Sequence, residues 1–360
     1  MAIGASNTLR TIEDLSALEQ LAGPWETLAE KQHSRPIDRS LWSLAAARAF
    51  KDEYSLSVRV LGDGEHAQVI APLARRKGHY FRLEILGMAE LSEPGDFVAE
   101  DPDALEMLLR ELLDEGSPLF LKRVPADSLT VALLGRMCRR RDLFVVRPAG
   151  ATPWLPLDDG IEDPEARLSA KRRSDLRRFR KRAQAEGKVE LAVRSPTVAE
   201  LGPLLEEALS IEDHSWKGRA GSSVLKDSHR GAFFHNYARA AARAGSLRIA
   251  LLHIGGAPAA MQIAVEDHDR LSLLKIGYDE RFQSCSPGTL LMLEAIRYAS
   301  QHGLSGVDFL GSEAPWTRMW TEQSRPCVAV RVYPLGLKSA AALAEEAAEH
   351  GWAELSERVR

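Results

Sequence analysis

Small residues stand directly before a predicted helix in the C-terminal half of the chain, an arrangement that can bind a phosphate group. Ser284, Ser286, Pro287 and Gly288 follow an apolar run, Leu271–Gly277, that predicts a short buried strand. The first turn of a helix has N–H groups without intrahelical partners and a partial positive charge of about +0.5. Small side chains would let the oxygens of a ligand come close to these groups. An ordinary strand-to-helix crossover that binds nothing explains this stretch equally well.

The helix after this loop is predicted to span Gly288–His302, and Gly303 stands where a helix stop is expected. Its polar positions share one face, whereas apolar residues cover the others, so the helix should pack broadly against a sheet. Val307–Leu310 is predicted as the next strand. The order strand, small-residue loop, helix, strand is typical of phosphate-binding units.

A concentrated basic segment precedes this unit in the chain. Arg167–Arg182 holds nine Lys or Arg against one acid, Asp175, so its charge of +8 leaves −12 on the rest of a chain whose total is −4. Such concentration indicates an anionic partner, although a solvated helix face is the plainest interpretation. Contact with the phosphates of an anionic substrate is a further option. Binding of nucleic acid ranks last, because Phe179 is the only aromatic residue in the segment.

Composition narrows the function classes. A chain of 360 residues exceeds the length at which one core usually divides, so two domains are expected. Cys138, Cys285 and Cys327 are odd in number and far apart, which favours a reducing cytoplasm over a disulfide framework or a zinc site. The histidines are scattered and no G-x-S-x-G elbow occurs, so neither a metal site nor a serine hydrolase is predicted. No apolar run approaches the ~20 residues of a membrane span or resembles a signal peptide.

The predicted elements fall into two groups separated by a linker. In the first group we predict helices and strands at Thr11–Leu21, Trp25–Lys31, Leu41–Phe50, Tyr54–Leu61, Ala67–Ala74 (after a turn at Asp63-Gly64), Phe81–Gly87, Ala104–Glu115, Pro118–Lys122, Leu129–Arg141 and Phe144–Arg147. The linker is predicted from three prolines and four acids, Pro153, Pro156, Pro164, Asp158, Asp159, Glu162 and Asp163. In the second group, besides the unit above, we predict the basic helix continuing to Glu186, then Leu201–His214, an irregular loop from Trp216, Gly231–Ala244, Leu247–His253, Ala259–Glu266, Val328–Tyr333 and Lys338–Val359.

The two groups repeat one order of elements. Ile85–Gly87 matches Lys275–Gly277 at an offset of 190 positions, and Leu121 matches Leu310 at 189. Near-constant offsets over several elements indicate two copies of one fold. The first copy carries acids in Glu93–Asp96, where a phosphate would be repelled. We therefore expect only the second copy to bind an anionic cofactor.

Two stretches in the second half resemble the GNAT acyltransferase superfamily. Gly277–Ile296 reads GYDERFQSCSPGTLLMLEAI, and Val307–Gly311 reads VDFLG. Gln283, Ser286 and Gly288 fit the superfamily's Q-x-x-G-x-G pyrophosphate loop, with Ser286 in place of the first glycine.

The resemblance extends from about Trp25 to Tyr333, nearly the whole chain. The additional strings are SWKGRAG at Ser215–Gly221, DFV at Asp96–Val98 and KRVPADS at Lys122–Ser128. In this order the chain resembles tandem-GNAT proteins of the CelD-like, cellulose-biosynthesis-associated group, which are related to the FemAB peptidyltransferases.

This resemblance implies an α/β fold of two tandem GNAT-like (acyl-CoA N-acyltransferase) domains, each a mixed, largely antiparallel sheet flanked by helices. We expect a degenerate domain at 1–155, a domain with the acyl-CoA site at 156–335 and a C-terminal helix at 336–360. Acyl-CoA, with acetyl-CoA as the expected form, would enter between the strand ending at Gly277 and the strand starting at Val307. The residues expected to bind it are Ile276, Gly277, Gln283, Ser286, Pro287, Gly288, Thr289 and Leu290.

Four residues are candidates for proton transfer in acyl transfer to an amine. Asp308 follows the second strand, but a carboxylate that caps a loop is an equally good interpretation. Glu313 could reach the amine, and His214 carries an imidazole, a common general base, yet a solvated acid and a helix-end histidine are common alternatives. Tyr278 could protonate the leaving thiolate, or it could simply be a packed tyrosine.

Trp216, Lys217, Trp316 and Arg318 are expected to contact the acceptor. Members of the family usually carry an aromatic-Lys pair after the D-F-x-x-G element, whereas this chain has Trp316-Thr317. Arg318 keeps a positive charge nearby, but a guanidinium does not donate its proton at neutral pH. The role of that position is therefore open.

The predicted function is cytoplasmic N-acyl transfer from acyl-CoA to an amine, with a sugar or a cell-envelope or exopolysaccharide precursor as acceptor and without a metal. One alternative is a FemAB-like transferase that uses aminoacyl-tRNA, which requires the basic helix to bind tRNA. The other is a non-catalytic binding subunit of a polysaccharide biosynthesis system, for which Thr317 is the best argument.

Overall fold

The structure, a computed structural model, describes a set of residue ranges: 8–62, 66–79, 81–138, 142–157 and 163–358. Side chains from residue 349 onward are outside this description. The predicted turn Asp63-Gly64 and the linker acids Asp158, Asp159 and Glu162 also lie outside the described residues.

The strands of the described ranges are, in chain order, β1 Thr8–Ile12, β2 Tyr54–Leu56, β3 Val58–Gly62, β4 Ala67–Ala71, β5 Leu73–Arg76, β6 Leu83–Ile85, β7 Val98–Ala99, β8 Leu119–Pro125, β9 Leu143–Pro156, β10 Val189–Arg194, β11 Leu247–Ile254, β12 Ala257–Asp267, β13 Arg270–Tyr278, β14 Gly306–Asp308 and β15 Ser324–Tyr333. The α-helices are α1 Leu15–Lys31, α2 Ser40–Ala49, α3 Met88–Leu91, α4 Pro102–Asp114, α5 Leu129–Met137, α6 Ala170–Glu186, α7 Val198–Asp213, α8 Trp216–Arg219, α9 Ser228–Arg243, α10 Pro287–Gln301 and α11 Leu337–Arg358. Short 3₁₀ helices lie at Pro36–Asp38, Pro164–Arg167, Val224–Lys226, Glu280–Cys285 and Thr317–Met319.

The chain forms two compact units, residues 1–150 with 326–360 and residues 151–325. In the first unit, β1, β3, β4 and β7 form one antiparallel sheet, and the strands of another follow the order β15-β8-β6-β5-β2. All neighbours in the second of these sheets are antiparallel except β6 and β8. Helices α4 and α5 pack on a core that includes Leu105, Leu108 and Leu134.

The second unit repeats this scheme. Its sheet follows the order β10-β11-β12-β13-β14, and the end of β9, Trp154–Pro156, pairs with β14. Neighbours are antiparallel except β13 and β14, which run parallel. Each unit thus has a largely antiparallel sheet with one parallel pair, flanked by helices, which is the sheet type predicted from the sequence. Among the described residues, the helices lack the combined length and apolar character that crossing a bilayer requires.

The C-terminal segment lies in a different unit from the one expected, since 156–335 had been assigned to one domain. Strand β15 pairs with β8 from Cys327 opposite Pro125 to Val332 opposite Leu119. Ala342 of α11 then packs with Phe120 and Tyr333 in a small apolar cluster. The closing strand and helix therefore complete the first unit, which makes that unit discontinuous in sequence.

The predicted helix at Thr11–Leu21 is wrong at its start, because Thr8–Ile12 is a strand that pairs with β3. The two predicted helices around Pro24 form one helix, α1, whose N-terminus is capped by Asp14 at 2.8 Å from the Ala17 N–H. The buried stripe Leu18, Leu21, Trp25 and Leu28 continues through the proline, so packing outweighs the local helix-breaking signal.

Two strands were predicted too short or missed. Strand β9 runs through Pro153 and Pro156, which had been assigned to the linker. Strand β10 had not been predicted, because its exposed polar positions hide the alternation expected of a half-buried strand.

Helix α10 connects the parallel strands of the second unit. Pro287 occupies its first turn, where the missing N–H costs no hydrogen bond. Met292, Ala295 and Ile296 pack on Leu271 and Leu273 of β13, while Leu291 joins a neighbouring cluster. The helix is thereby fixed against the sheet, and its N-terminus lies beside the end of β13.

Candidate functional site

The parallel strands of the second unit part after three paired residues. Strand β13 pairs with β14 from Arg270 opposite Gly306 to Ser272 opposite Asp308, where β14 ends. Strand β13 continues for six more residues to Tyr278 and stays paired with β12 on its other side. The register between β12 and β13 shifts near Ala264, so one extra residue of β13 bulges there.

Backbone groups of Ile276 and Tyr278 face the side that β14 has left. The Asp279 N–H donates to the Ala259 carbonyl at 2.9 Å, which makes those two residues a hydrogen-bonded pair of the antiparallel ladder. Such pairs alternate with pairs whose N–H and C=O point away from the partner strand. The register places Tyr278 opposite Ala260 and Ile276 opposite Gln262, so both residues fall in the second class.

The loop between β13 and α10 has fewer available amides than the sequence suggested. The Ser286 N–H donates to the Gln283 carbonyl at 3.1 Å, and Pro287 has no N–H. Thr289 and Leu290 both donate to the Ser286 carbonyl, at 3.0 and 3.2 Å. Among Ser286, Pro287, Gly288, Thr289 and Leu290, which the resemblance places at the diphosphate, Gly288 alone has an N–H without an acceptor among the described residues.

Ser286 adopts a left-handed conformation, with φ of 46° and ψ of 55°. Few residues other than glycine tolerate this conformation, so the serine here is held with backbone strain. Gln283 is exposed, and Cys285 is fully buried in the core beneath the loop. The cysteine is therefore a packing residue rather than a nucleophile.

Tyr278 lies against the start of α10. A Cβ atom on Gly288 would be 3.6 Å from its Cδ1, so alanine fits there and a bulky side chain does not. The ring also packs on the apolar cluster under α10. The Tyr278 hydroxyl has no hydrogen-bond partner among the residues that the structure describes.

Helix α7 packs closely against β13 and is followed, after two residues, by the short helix α8. A Cβ on Gly277 would lie 2.8 Å from the Glu212 Cα, and a Cβ on Gly218 would lie 1.7 Å from the Asp213 carbonyl oxygen. These two glycines are therefore required for the close contact and for the turn. His214 is exposed at the end of α7, and Trp216 is 54% exposed.

His214 has one defined tautomer when neutral. Its Nδ1 lies 2.7 Å from the Ser210 carbonyl, which can only accept, so Nδ1 carries the proton. The lone pair is then on Nε2. His214 also contributes to the lowered pKa of Asp279, after the larger effect of the Arg281 hydrogen bond, so it lies near the end of β13.

Lys217 contacts the parted edge of β13 directly. Its Nζ donates to the Ile276 carbonyl at 2.7 Å and to Glu212 Oε1 at 3.3 Å. The Glu212 side chain is about 1% exposed, and its Oε2 accepts the Val224 N–H at 2.8 Å. A positive charge is thus held at this edge by a buried carboxylate.

Asp308 is occupied by structural contacts. Its Oδ1 accepts the Leu310 N–H at 2.9 Å and supports a φ of 50° at Leu310. Arg325 Nη1 lies 3.5 Å from Oδ2, and the Arg325 guanidinium stacks on Trp154. This geometry favours the loop-capping role over that of a general base.

The other candidates lie on the loop after β14. Thr317 is buried, and its hydroxyl donates to the Ala314 carbonyl at 2.8 Å, so the residue at the usual lysine position stabilises the loop. Trp316 packs edge-to-face on Phe309. Glu313 and Arg318 are exposed and border a surface recess, whose full lining is Pro153, Glu313, Thr317, Arg318, Thr321, Glu322 and Gln323.

The basic helix α6 packs one face and exposes the other. Leu176 and Ala183 are buried, and Arg180 forms a bidentate pair with Glu165 at 3.1 and 2.6 Å. Arg182 Nη1 donates to the Ser284 carbonyl at 3.0 Å, so this helix contacts the loop before α10. The exposed cations without a partner among the described residues are Lys171, Arg172, Arg177 and Lys181.

Sequence reasoning missed Glu212. It continues the buried stripe of α7 that includes Leu205, Ala208 and Leu209. A carboxylate at an apolar-periodic helix position is the signal that could have identified it. No group of three or more His, Cys, Asp or Glu within the described ranges could hold a metal ion.

Comparisons with known proteins identify the second unit's domain type. Residues 170–318 match the family model described as an acetyltransferase (GNAT) domain. A comparison with curated proteins gave no match.

Several solved structures share the fold at low sequence identity. FemX has a TM-score of 0.57 and 13% identity, covering 91% of this chain and 97% of that one. The C-terminal domain (DUF2156) of a protein assigned as a lysylphosphatidylglycerol synthetase from Agrobacterium fabrum has a TM-score of 0.55 and 9% identity. The match covers 92% of this chain and 96% of that one. A conserved protein of unknown function from Bacteroides thetaiotaomicron has a TM-score of 0.54 and 13% identity, and the match covers 91% of this chain and 100% of that one. The predicted GNAT-like α/β fold is confirmed.

Proposed function

We propose that this protein transfers an acyl group from acyl-CoA to an amine. The observation that carries the proposal is the parting of β13 from β14, which leaves the backbone groups of Ile276 and Tyr278 facing away from β12. A pantetheine arm contains two amides, and these can pair with a free strand edge. The match of residues 170–318 to an acetyltransferase domain supports the same reaction class.

The start of α10 is proposed to hold the diphosphate of the donor. Gly288 contributes its N–H, and the helix terminus contributes its partial positive charge. Arg182 lies at the adjacent Ser284 carbonyl and adds a full charge. This set is smaller than the amide cradle inferred from the sequence, so side-chain cations would supply much of the attraction.

Proton transfer is assigned to His214 and Tyr278. His214 keeps its Nδ1 proton on the Ser210 carbonyl, which leaves Nε2 as the atom that can accept a proton from the amine. The Tyr278 hydroxyl, whose ring lies against the start of α10, would protonate the leaving thiolate. Asp308 is not assigned a proton-transfer role, because Leu310 and Arg325 occupy its oxygens.

The acceptor is proposed to be an amine on a sugar or a cell-envelope precursor, bound near the exposed Trp216. The exposed cations of α6 favour a second candidate, a transferase that takes its acyl group from aminoacyl-tRNA. A tRNA donor would bind through phosphate contacts on that face, with strong salt dependence.

Thermal unfolding with separate ligands distinguishes the candidates. Acetyl-CoA at 100 times its dissociation constant should stabilise the protein by about 2.7 kcal/mol. The variant Gly288→Trp should lose this stabilisation, because the side chain would collide with Tyr278. Gly202→Trp is the matched control, since a Cβ at this exposed helix position meets nothing within 4 Å.

The panel includes free CoA, longer acyl-CoAs and charged tRNA. Stabilisation by charged tRNA without any effect of CoA would replace the proposal by the second candidate. No response to any of these ligands would contradict both, and would favour a non-catalytic binding subunit.

A further inference from the structure

The environment of Lys217 is more specific than contact with an acceptor requires. Its amine is held between two acceptors that come from different elements, the Glu212 carboxylate on α7 and the Ile276 carbonyl on β13. The Lys217 side chain is 21% exposed, so the charge is partly shielded from water. A surface lysine that only increases solubility needs neither contact.

The position of Glu212 is fixed by contacts of both its backbone and its side chain. Its backbone packs against Gly277, and its second oxygen accepts the Val224 N–H. A buried carboxylate is costly unless it is hydrogen-bonded and paired with a cation. The arrangement therefore fixes the position of the Lys217 amine at the edge of β13.

Lys217 retains one hydrogen-bond donor for a ligand. An ammonium group has three N–H donors, and two of them are directed to Glu212 and Ile276 among the described residues. The Ile276 carbonyl belongs to the backbone groups that face away from β12, so the amine lies on the side from which β14 has departed. The third N–H is available where a thioester carbonyl would lie beside this edge.

We infer that Lys217 is a catalytic residue that stabilises the negative charge on the acyl carbonyl oxygen, with Glu212 as its positioning residue. This inference rests on the proposed function. The amine nitrogen adds its lone pair to the thioester carbon, forming an N–C bond, and the carbonyl π pair moves to oxygen. When the C=O bond re-forms, the C–S bond breaks, sulfur leaves with that electron pair, and the amine proton passes to His214.

Lys217 forms no covalent bond in this sequence. A lysine amine is charged at neutral pH, so it can donate a hydrogen bond to the oxyanion but cannot act as the nucleophile in that form.

Isotope-edited infrared spectroscopy of bound [1-¹³C]acetyl-CoA tests the inference without knowledge of the acceptor. The carbonyl stretch should move to lower wavenumber on binding to the unaltered protein. In Lys217→Met this shift should be lost while acetyl-CoA still binds within about threefold of the original affinity. Lys275→Met is the matched control, because that lysine lies over the Phe234 ring.

Lys217→Met leaves Glu212 without its cation, so folding must be controlled. The double variant Lys217→Met with Glu212→Gln removes both charges and should show the same loss of the carbonyl shift. Once an acceptor is known, kcat should fall about 10²-fold in both variants with little change in the acetyl-CoA KM. If a variant that binds acetyl-CoA shows the same shift of the carbonyl stretch as the unaltered protein, the inference is overturned and the proposed function is left intact.

Two other results would also count against it. Acetylation of the Lys217 amine, detected by mass spectrometry after incubation with acetyl-CoA, would make it an acceptor and contradict a purely electrostatic role. Failure of the unaltered protein to bind acetyl-CoA would contradict the proposed function, and the inference with it.

Discussion

The parallel strand pair of each unit ends differently. In the first unit β6 pairs with β8 at Leu83 and Glu84, and the chain then folds back onto the edge of β8. The Gly95 N–H donates to the Arg123 carbonyl at 3.0 Å, and the Arg123 N–H donates to the Met88 sulfur at 3.1 Å. In the second unit β13 runs on for six residues, and its Ile276 carbonyl accepts a hydrogen bond from the Lys217 amine at that edge.

This difference indicates how one repeat can be structural while the other is functional. Both units have an antiparallel hairpin followed by a parallel pair, so strand order alone does not distinguish them. What differs is whether the chain satisfies its own strand edge. The first unit uses residues 88–95 to do so, whereas in the second unit the N–H groups of Ile276 and Tyr278 have no acceptor among the described residues and can bind a ligand.

The matched glycines Gly87 and Gly277 give the largest expected effect. Gly277→Ala should reduce the free energy of unfolding by about 2–3 kcal/mol, because its Cβ would meet the Glu212 backbone at 2.8 Å. It should also abolish stabilisation by acetyl-CoA, since Glu212 and Lys217 must move. Urea unfolding with and without acetyl-CoA measures both effects.

Gly87→Ala is the control in the first unit. Its φ of 73° should cost about 1–2 kcal/mol through backbone strain while the acetyl-CoA response is preserved. A loss of the acetyl-CoA response in Gly87→Ala, or its retention in Gly277→Ala, would break the distinction between the units.

Carboxyl groups of the two units should give opposite pH dependences. Burial raises the pKa of Asp96 in the first unit to about 6, and the nearby Asp38 charge adds to this effect. The folded state therefore binds a proton between about pH 4 and 6 that the unfolded state has lost, so stability falls as pH rises through this window. As pH rises from 4 to 7, the free energy of unfolding of Asp96→Asn should increase by about 1–2 kcal/mol relative to that of the unaltered protein.

Asp279 in the second unit provides the comparison. Its pKa is lowered, chiefly by the hydrogen bond from Arg281, so its contribution is present above the ordinary carboxyl pKa and is lost as pH falls. Asp279→Asn should lose stability relative to the unaltered protein as pH rises, which is the opposite sign. Urea unfolding from about pH 2.5 to 7 measures both, with the Asp279 effect expected below about pH 4 and the Asp96 effect above it, and equal signs would refute the assignment.

The smallest effect is expected at the left-handed serines. Ser286 has φ of 46° before α10, and Ser92 has φ of 60° after α3. Replacing either by glycine should raise the unfolding free energy by about 0.5 kcal/mol, because relief of strain exceeds the added entropy of the unfolded chain. Thermal unfolding measures the gain, and a loss of stability in both would show that the serine side chains contribute more than the backbone strain.

Local signals in the sequence were sufficient for the site's framework. The small residues before Pro287, the helix that follows and the apolar run of β13 each depend on neighbours in the chain, so their positions could be predicted. The N-terminal strand β1 could not, because it depends on pairing with β3, about 50 residues away. The closing strand β15 was placed in the wrong unit for the same reason.

The contacts that define the candidate site were not readable from the sequence. Lys217 and Ile276 are 59 residues apart, and nothing local indicates that the amine meets that carbonyl. The number of available amides also depended on backbone geometry, since the Ser286 carbonyl accepts the N–H groups of Thr289 and Leu290, two residues that were predicted to bind the cofactor. Asp308 could be assigned to loop capping only after Leu310 and Arg325 were placed around it.

Amide hydrogen exchange of the two strand edges tests the central claim most directly. Saturating acetyl-CoA should slow exchange at Ile276 and Tyr278 by at least about tenfold, because these N–H groups would gain acceptors. The Arg123 amide, already bonded to Met88, should exchange at an unchanged rate. Unchanged exchange at Ile276 and Tyr278 with acetyl-CoA bound, or protection at Arg123 instead, would contradict the account.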